Sequence, residues 1–443
     1  MENGAMRFPP DAGTNHYQFT RKCCRIHAGF GHVSGNSFLR ALMRLPAFFV
    51  FREDFLMEYV DLDMPREGDT VVVGLSGGVD STLTAALLKE KGCRVIGVTM
   101  SLWKGDLPEL PDGKTLRSSC YGPDELEDIE QCRAFCEKSG IEYHVIDVKE
   151  AYQKRVIDYF KAEYRAGRTP NPCIRCNSVI KFGALLEGVA GLGIDFDYFC
   201  TGHYAKIVRP SSGLWGTDAR PAMISCARDV SKDQAYFLYR IPSPVLEKVR
   251  FPLGFTEKRD VFEMARARGL AAAERAESQD FIPPEYFEHL FKDKPSVPGD
   301  IIDLDGHVLG RHRGIEHYTV GQRKGLGVSS TRPLYVHSID AKRNVVVLAD
   351  NDDLLCPSLI ADDFVWAGGA EPSGPFDAMV KIRLASRPVK CRVSEFRGDD
   401  GNFSGKAWRV EFSEPQRAVA PGQSAVLYID GAIVGGGIIS RPE

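Results

Sequence analysis

A short loop rich in glycine and serine, Ser76-Gly77-Gly78-Val79-Asp80-Ser81, contains residues whose types and spacing match a chemical task. Two adjacent glycines let the backbone come close to an anion, and a hydroxyl group stands at each end of the loop. The loop lacks the Gly-Lys-Ser/Thr ending of a Walker A motif and the G-x-G-x-x-G pattern of dinucleotide-binding proteins. It therefore predicts a pyrophosphate site of a different kind.

The elements on either side must hold this loop in place. Three β-branched residues, Val71 to Val73, lead to Gly74 and predict a strand that is buried on both faces of a parallel sheet. Residues 82–88 predict a helix directly after the loop. Such a helix would direct its unpaired N–H groups and the positive end of its dipole at bound phosphate.

Strands and helices continue to alternate through the first half of the chain. We predict strands over 93–100, 143–148 and 193–200, with helices over 123–139 and 151–166. The predicted fold class is therefore α/β, with a doubly wound parallel sheet and a ligand at the carboxyl ends of its strands.

The alternation of strands and helices ends after about residue 250. A helix over 257–272 and then short strands separated by proline and glycine predict a small central domain followed by a C-terminal β-barrel. The expected boundaries are 1–65 for an N-terminal extension, 66–248 for the α/β domain that contains the pyrophosphate loop, 249–355 for the central linker domain and 356–443 for the barrel.

Composition limits the class of protein. With 443 residues, 43% hydrophobic and 26% charged, the chain can form two or three ordinary globular domains. The apolar stretch 45–51 is too short to cross a bilayer and contains a proline, so we expect no membrane partner. A net charge of −4 gives no global signature of nucleic-acid binding, so any polynucleotide would have to meet a local basic face. Twelve cysteines in so long a chain indicate free thiols and a reducing, cytoplasmic location.

The first 65 residues differ from the rest. They contain the basic clusters 21–25 and 40–44 and few acidic residues. Three interpretations compete: a start-site artefact with the natural start at Met57, a disordered extension, or an organelle transit peptide. The weak amphipathic pattern favours the first two.

The loop resembles the SGGxDS loop of the N-type ATP pyrophosphatases, which split ATP to AMP and pyrophosphate while adenylating a carbonyl oxygen. Further segments occur in the order found in the tRNA-specific 2-thiouridylases, and the resemblance runs from about residue 68 to the end. These segments are Gly167–Asn177, Thr201–Tyr204, Lys232–Leu238, Gly321–Gly327 and Pro421–Ala425. That family uses ATP to activate the C2 oxygen of the wobble uridine in certain tRNAs and then replaces this oxygen with sulfur.

The resemblance implies ATP and Mg²⁺ as cofactors, with Asp80 helping to place the metal, and the tRNA anticodon stem-loop as partner. It implies that Cys176 is the sulfur-bearing nucleophile, acting once adenylation has made the oxygen a good leaving group. The implied ATP-site residues are Gly74, Leu75, Ser76, Gly77, Gly78, Val79, Asp80, Ser81, Met100 and Gly202. The implied tRNA contacts are Asn171, Pro172, His203, Lys232, Asp233, Gln234, Arg383 and Gln423.

Two departures from the family pattern concern the cysteines. The best-known members have an aspartate at the position of Cys173 and a second cysteine where this chain has Ile282. This chain instead has Cys173-x-x-Cys176 and an additional Cys226. We hypothesise that these three cysteines hold a [4Fe-4S] cluster with one iron open for sulfide. The alternatives are a zinc site, a Cys173–Cys176 disulfide formed during turnover, or a persulfide on Cys176 resolved by Cys173.

The remaining cysteines are expected to pack rather than to ligate. Cys132 and Cys136 stand four apart on a predicted helix, and four others lie in apolar strand-like contexts. Cys120 precedes a turn and has no assigned role.

A local basic face is expected in the second half of the chain, where it would hold tRNA phosphates without reading sequence. Its residues are Arg311, Arg313, Arg323 and Lys324 in one region and Lys381, Arg383 and Arg387 in another. The sulfur donor is expected to be a protein or free sulfide. Two other classes stay open, a non-catalytic tRNA-binding relative and another N-type pyrophosphatase such as an amidotransferase.

Overall fold

A computed structural model of the chain describes residues 57–107, 120–274, 281–282, 286–398, 403 and 405–443. Most of the predicted N-terminal extension therefore lies outside the described residues, as do Ser278–Asp280 and Pro283 of the segment that contains Ile282. Within that extension, Tyr59–Asp61 forms a strand.

The strands of the first half of the described chain are β1 (Tyr59–Asp61), β2 (Thr70–Gly74), β3 (Arg94–Ser101), β4 (Glu142–Asp147), β5 (Tyr198–Thr201), β6 (Lys206–Pro210), β7 (Met223–Ser225) and β8 (Val249–Arg250). Among the described residues, a parallel sheet has the order β4-β3-β2-β5-β8. Strand β2 is central, and Val71, Val72 and Val73 are fully buried. The run of β-branched residues thus forms the doubly covered strand that the sequence predicts.

The described α-helices are α1 (Val79–Glu90), α2 (Glu125–Ser139), α3 (Lys149–Tyr152), α4 (Asp158–Arg165), α5 (Pro172–Cys176), α6 (Leu185–Gly191), α7 (Ala235–Leu238), α8 (Ser243–Leu246), α9 (Lys258–Ala267) and α10 (Phe287–Leu290). The single helix predicted over 151–166 is divided by the π-helical segment Gln153–Ile157, and a second π-helical segment, Asn177–Ala184, follows α5. Within the described ranges no helix combines the length and apolarity that a membrane crossing requires.

The strands of the second half are β9 (Gly299–Ile302), β10 (Val308–His312), β11 (Tyr335–Asp340), β12 (Val345–Ala349), β13 (Leu355–Trp366), β14 (Phe376–Lys381), β15 (Val389–Phe396), β16 (Ala407–Arg417), β17 (Ser424–Ile429) and β18 (Ala432–Pro442). A small sheet has the order β10-β9-β12-β11. Strands β13 to β18 close into a barrel, because β17 pairs with both β14 and β18. The predicted α/β domain, small central domain and C-terminal barrel are therefore confirmed.

Strand pairing and a backbone hydrogen bond connect the barrel to the first half of the chain. Strand β18 pairs with β7 through Ala432 and Ser225, and β6 and β1 extend the same sheet. The Thr169 N–H donates to the Pro421 carbonyl, with an N–O distance of 2.8 Å. These contacts hold the barrel against the segment that leads into α5.

Candidate functional site

The glycine-rich loop is closed by its two serines. The Ser81 hydroxyl accepts a hydrogen bond from the Ser76 N–H at 3.1 Å and donates to the Gly78 carbonyl at 3.2 Å. Gly77 has φ of 74°, a conformation that favours glycine. The loop follows β2 and precedes α1, as the sequence predicts.

Helix α1 directs its first turn at this loop. Its N-cap is Gly78, which offers no side chain to the terminal N–H groups. The 12-residue helix therefore presents N–H groups and the positive end of its dipole to a ligand in the loop. This arrangement fits the phosphates of a nucleotide.

The end of β5 lies directly against the start of α1. A Cβ atom built on Gly202 would stand 2.6 Å from the carbonyl carbon of Asp80 and 2.6 Å from the Ser81 nitrogen. No side chain fits there, so glycine is required for this close approach. The residue after β5 thus contacts the loop that was predicted to bind ATP.

Asp80 forms an ion pair that no sequence pattern predicts. The ammonium group of Lys258, on α9, donates to both carboxylate oxygens at 2.7 and 2.8 Å, and the Tyr204 hydroxyl donates at 2.7 Å. The Lys258 side chain is 9% exposed. The negative charge of the Asp80 carboxylate is therefore already compensated by Lys258.

Helix α5 carries the Cys-x-x-Cys pair. The Asn171 side chain accepts from the Ile174 N–H at 3.2 Å and Pro172 occupies the first turn, so these residues start the helix. Cys173 and Cys176 are three apart, so both thiols lie on one helix face. Burial raises the pKa of Cys173 to about 11 and that of Cys176 to about 12, and the positive charge of Lys181 opposes both shifts.

Lys181 was not recognised from the sequence. It lies in the π-helical segment Asn177–Ala184, whose i to i+5 geometry keeps it on the side of Cys176. Its ammonium group also lies 3.4 Å from Nε2 of His203. In the sequence, Lys181 stands five residues after Cys176, and a regular α-helix would place the two residues on different faces. This spacing therefore did not predict the contact.

His203 is held in one tautomer. Lys181 has only donors, so Nε2 must accept, and the proton on Nδ1 is then donated to the Thr201 hydroxyl at 2.6 Å. Burial and the nearby charge of Lys181 hold the pKa of His203 well below 6.5. The imidazole is therefore neutral at physiological pH.

The structure places the cysteines of the predicted cluster in two environments. The positive charge of Lys181 opposes the rise that burial causes in the pKa of Cys173 and Cys176, whereas the charges that act on the buried Cys226 are those of Asp233 and Lys381. Among the described residues, Cys173, Cys176 and Cys226 do not form a group with all ligand atoms within 4.8 Å. Ile282, at the position of the second family cysteine, is buried.

A cavity of about 510 Å³ lies on another side of α5, between the first half of the chain and the barrel. Asn171, Ile174 and Arg175 of the α5 region line it, and Ser424 and Arg441 line it from the barrel. Two further arginines in its wall form ion pairs, Arg168 with Glu163 and Arg240 with Asp363. The cavity and the thiols therefore share one short helix.

Comparison with known proteins places this site in a family. Residues 69–283 match the family described as tRNA methyl transferase HUP domain, 288–350 its PRC-barrel domain, and 357–439 the aminomethyltransferase beta-barrel domain. The tRNA-specific 2-thiouridylase MnmA of Endomicrobium trichonymphae is 42% identical over 83% of this chain and 98% of its own length. This chain belongs to the tRNA-specific 2-thiouridylase family. Proteins of the same name from Chloroflexus aurantiacus and Geobacter metallireducens are 42% and 40% identical, over 84% and 83% of this chain and 99% and 96% of theirs.

Several residues that the family resemblance assigns to tRNA also connect parts of the site. The Gln234 side chain accepts from the Tyr204 N–H at 2.9 Å, and the Asp233 carboxylate accepts from the Ala227 N–H at 2.8 Å. The Gln423 amide donates to the Thr169 carbonyl at 3.0 Å. These side chains therefore fix the segments around the ATP loop and α5.

The predicted basic residues are distributed unevenly. The Arg383 guanidinium donates to the backbone carbonyls of Val320 and Ala418, and burial lowers its pKa. Arg311 and Arg313 form exposed ion pairs with Asp300 and Glu288. Arg323, Lys324 and Arg387 of the predicted set are also exposed, as is Lys232 of the Lys-Asp-Gln segment.

Proposed function

We propose that this chain is an ATP-dependent tRNA-uridine 2-sulfurtransferase, which adenylates the C2 oxygen of the wobble uridine and replaces it with sulfur. One observation carries this proposal: the segment Thr201–Tyr204 contacts both the ATP loop and the thiol region. Gly202 packs against the start of α1, and Tyr204 bonds Asp80. His203, between them, contacts Lys181 beside the thiols. A base bound over this segment would lie close to both the ATP loop and the thiols.

The first step forms the bond between the C2 oxygen and the α-phosphate of ATP and breaks the bond to pyrophosphate. The N–H groups of the loop and of the first turn of α1 stabilise the negative charge on the phosphates, and Mg²⁺ would screen the triphosphate. The glycines allow the backbone to approach the ligand without hindrance.

The second step forms a bond between sulfur and C2 and breaks the C2–oxygen bond, with AMP as the leaving group. Cys176 is the expected carrier of the sulfur, as a persulfide whose outer sulfur attacks C2. The Cys173 thiol then breaks the bond between Cys176 and that sulfur, which leaves a Cys173–Cys176 disulfide. The positive charge of Lys181 acts against the rise in the Cys176 pKa caused by burial. That positive charge favours the thiolate form over the thiol, which opposes the effect of burial. Neutral His203 accepts from Lys181 and so holds the ammonium in this position.

We also propose that the Cys173–Cys176 pair and a third cysteine, for which the sequence indicates Cys226, hold a [4Fe-4S] cluster. Such a cluster would supply an open iron site for sulfide. The donor set suits it, because these are free thiols. A zinc ion with about 2.3 Å bonds needs ligand sulfurs about 3.8 Å apart, and the described thiols are not grouped that closely.

The anticodon stem-loop of tRNA is the proposed partner, with a protein or sulfide as the sulfur donor. The exposed cations Arg323, Lys324 and Arg387 would contact phosphates, and the cavity beside α5 offers polar and positively charged groups to a nucleotide. The cavity is lined by residues of α5, the helix that carries the thiols.

The test incubates the chain with ATP, Mg²⁺, a sulfide source and tRNA that carries an unmodified wobble uridine. Nucleoside analysis should detect 2-thiouridine in wild type and in the control Cys356→Ser, but not in Cys176→Ser. Tight tRNA binding without AMP or 2-thiouridine would instead support a non-catalytic tRNA-binding protein. AMP production without tRNA dependence would favour another N-type pyrophosphatase.

A further inference from the structure

The segment Lys232–Gln234, which the family resemblance assigns to tRNA, is connected to the ATP loop at both of its ends. Asp229 precedes the segment by three positions, and Gln234 is its last residue. Each of these two residues contacts a residue whose side chain donates to the carboxylate of Asp80. Two connections therefore join the tRNA-assigned segment to the first turn of α1.

The first connection runs from Asp229 to Lys258. One carboxylate oxygen of Asp229 accepts from the Lys258 N–H at 3.0 Å, at the first residue of α9. The other oxygen accepts from the N–H and the hydroxyl of Ser231 at 3.0 and 2.6 Å, and the Lys232 N–H donates to the Asp229 carbonyl at 3.2 Å. Asp229 is 9% exposed, so water competes little for these bonds. The turn before the tRNA-assigned segment is thus fixed to the residue whose ammonium group binds Asp80.

The second connection runs from Gln234 to Tyr204. The Gln234 side chain accepts from the Tyr204 N–H at 2.9 Å, and the Gln234 N–H donates to the Tyr204 carbonyl at 2.8 Å. The Tyr204 hydroxyl in turn donates to Asp80 at 2.7 Å, and the residue is 2% exposed. Because both backbone groups of Tyr204 pair with Gln234, the position of the tyrosine follows that of the tRNA-assigned segment.

The elements that carry the two connections share one buried apolar cluster. Its members come from α1, from the segments after β5 and after β7, and from α9 and the residues before it: Leu83, Tyr204, Ala227, Leu253 and Val261. Each is at most 6% exposed. A close-packed interior transmits a displacement to its neighbours rather than absorbing it. The tRNA-assigned segment and the start of α1 are therefore attached to the same packed unit.

We propose that the two connections couple tRNA binding at Lys232–Gln234 to ATP binding at the loop, so that each ligand raises the affinity for the other. The inference rests on the tRNA contacts and the ATP site of the proposed function, and it makes Asp229 a positioning residue. RNA bound to Lys232–Gln234 restricts this segment and, through both connections, Asp80 at the start of α1. ATP then binds a loop that is already ordered, and linkage requires the reverse effect to be equal.

The sign of this coupling separates it from a direct effect of charge. ATP and tRNA are both polyanions, so their mutual repulsion alone predicts that the first ligand weakens the binding of the second. A gain in affinity therefore reports contacts within the protein. Such a gain suits the proposed chemistry, because ATP is held tightly only when the tRNA that it activates is present.

The experiment measures the Kd of α,β-methylene-ATP, which is not cleaved to AMP, with and without saturating tRNA that carries an unmodified wobble uridine. In wild type we expect tRNA to lower this Kd about tenfold, and the analogue to lower the Kd of tRNA by the same factor. Asp229→Ala and Tyr204→Phe each remove one connection and should reduce the factor to about threefold. The double variant should show a factor of about one.

The matched control is Asp303→Ala. The Asp303 carboxylate also accepts from two backbone N–H groups, but it does so in the turn between β9 and β10, so the coupling should stay at about tenfold. Asp229→Asn keeps an acceptor for the Lys258 N–H and should retain most of the coupling. Amide hydrogen exchange gives a second readout, because bound tRNA should slow exchange in Ser76–Ser81 of wild type and not of the double variant. Thermal unfolding is recorded for each variant, and Tyr204→Phe, which loses only a hydroxyl, tests the second connection without any change at Asp229.

A wild-type factor below about twofold, or a factor of about ten in the double variant, would overturn the inference. If such a wild type still forms 2-thiouridine, the sulfurtransferase function stands. Coupling of the expected size in a wild type that forms no 2-thiouridine would support the inference and refute the proposed function. A wild type that does not bind tRNA would refute both.

Discussion

The ion pair between Lys258 and Asp80 should couple the central part of the chain to the ATP loop, and Lys258→Met tests this. The substitution leaves the aliphatic contacts with the Tyr204 and Phe262 rings, which lie 5.2 and 4.9 Å from the ammonium nitrogen. It removes the ammonium group that donates to both carboxylate oxygens of Asp80. Asp80 then keeps the Tyr204 hydroxyl as its described side-chain donor.

The magnitude follows from burial. Removal of one partner of a buried ion pair costs about 3–5 kcal/mol, because the other charge is left uncompensated. The Asp80 side chain is 28% exposed, so water can solvate it in part, and we expect about 2–3 kcal/mol. The uncompensated carboxylate also repels phosphate, so the Kd for ATP should rise about tenfold, equivalent to about 1.4 kcal/mol.

The assay is a double-mutant cycle. The free energy of unfolding and the Kd for ATP are measured for wild type, Lys258→Met, Asp80→Asn and the double variant, with denaturant unfolding and calorimetry. The double variant should be more stable than additivity predicts by about 1–3 kcal/mol, and its ATP affinity should recover in part. The matched control is Lys104→Met, whose partner Glu150 is 90% exposed, and it should lose less than about 0.5 kcal/mol. Additive effects at Lys258 and Asp80, or a Lys258→Met loss no larger than the control, would refute the coupling.

Gly202→Ala should weaken ATP binding at least about tenfold in calorimetry and cost about 1–3 kcal/mol in unfolding, because its Cβ would overlap the start of α1. Gly191→Ala, where nothing lies within 4 Å, is the control, and equal effects would contradict the steric argument. Lys181→Met should raise the pKa of His203 in NMR titration, although burial keeps it below 6.5. Unfolded His203 binds a proton below pH 6.5, whereas folded His203 binds one only at lower pH, so His203 should make stability rise with pH between its folded pKa and 6.5. Lys181→Met should shorten this interval at its acid end, and an unchanged acid end would contradict the contact. Arg383→Ala should lower the free energy of unfolding by about 1.5–3 kcal/mol, because it removes charged hydrogen bonds to two carbonyls. Denaturant unfolding measures this loss, and a neutral effect would assign Arg383 to RNA contact alone.

The parts that the sequence predicted well are local in the chain. The buried strand before Gly74, the glycines of the loop and the Asn171-Pro172 start of α5 depend on residues a few positions apart. The alternation of strands and helices then restricted the fold to a parallel sheet with a ligand at one edge. Family resemblance supplied the chemistry.

The contacts that were missed join distant segments or depend on irregular backbone. Lys258 and Asp80 form an ion pair although they are 178 positions apart in the chain, and no sequence pattern predicts this contact. One π-helical segment divides the predicted helix over 151–166, and another positions Lys181. Neither has a reliable sequence signal. Tyr121 stacks on Tyr152, a contact between segments about thirty positions apart that no local pattern predicts.

Sequence patterns also failed to show that the barrel extends into the first half of the chain. Strands β6 and β7 follow the segment Thr201–Tyr204 and pair antiparallel, like the two strands of an ordinary hairpin. Their partner β18 lies at the far end of the chain, and its pairing through Ala432 has no local cause. Domain boundaries drawn along the sequence therefore separate strands that belong to one sheet.

The most direct test of the central claim follows the oxygen atom that sulfur replaces. Transfer RNA that carries ¹⁸O at C2 of the wobble uridine is incubated with the enzyme, ATP and a sulfide source, and the nucleotides and nucleosides are analysed by mass spectrometry. Activation of the C2 oxygen by the loop at Ser76 to Ser81 predicts one ¹⁸O atom in AMP for each 2-thiouridine formed. Unlabelled AMP, or 2-thiouridine formed without AMP, would contradict the account.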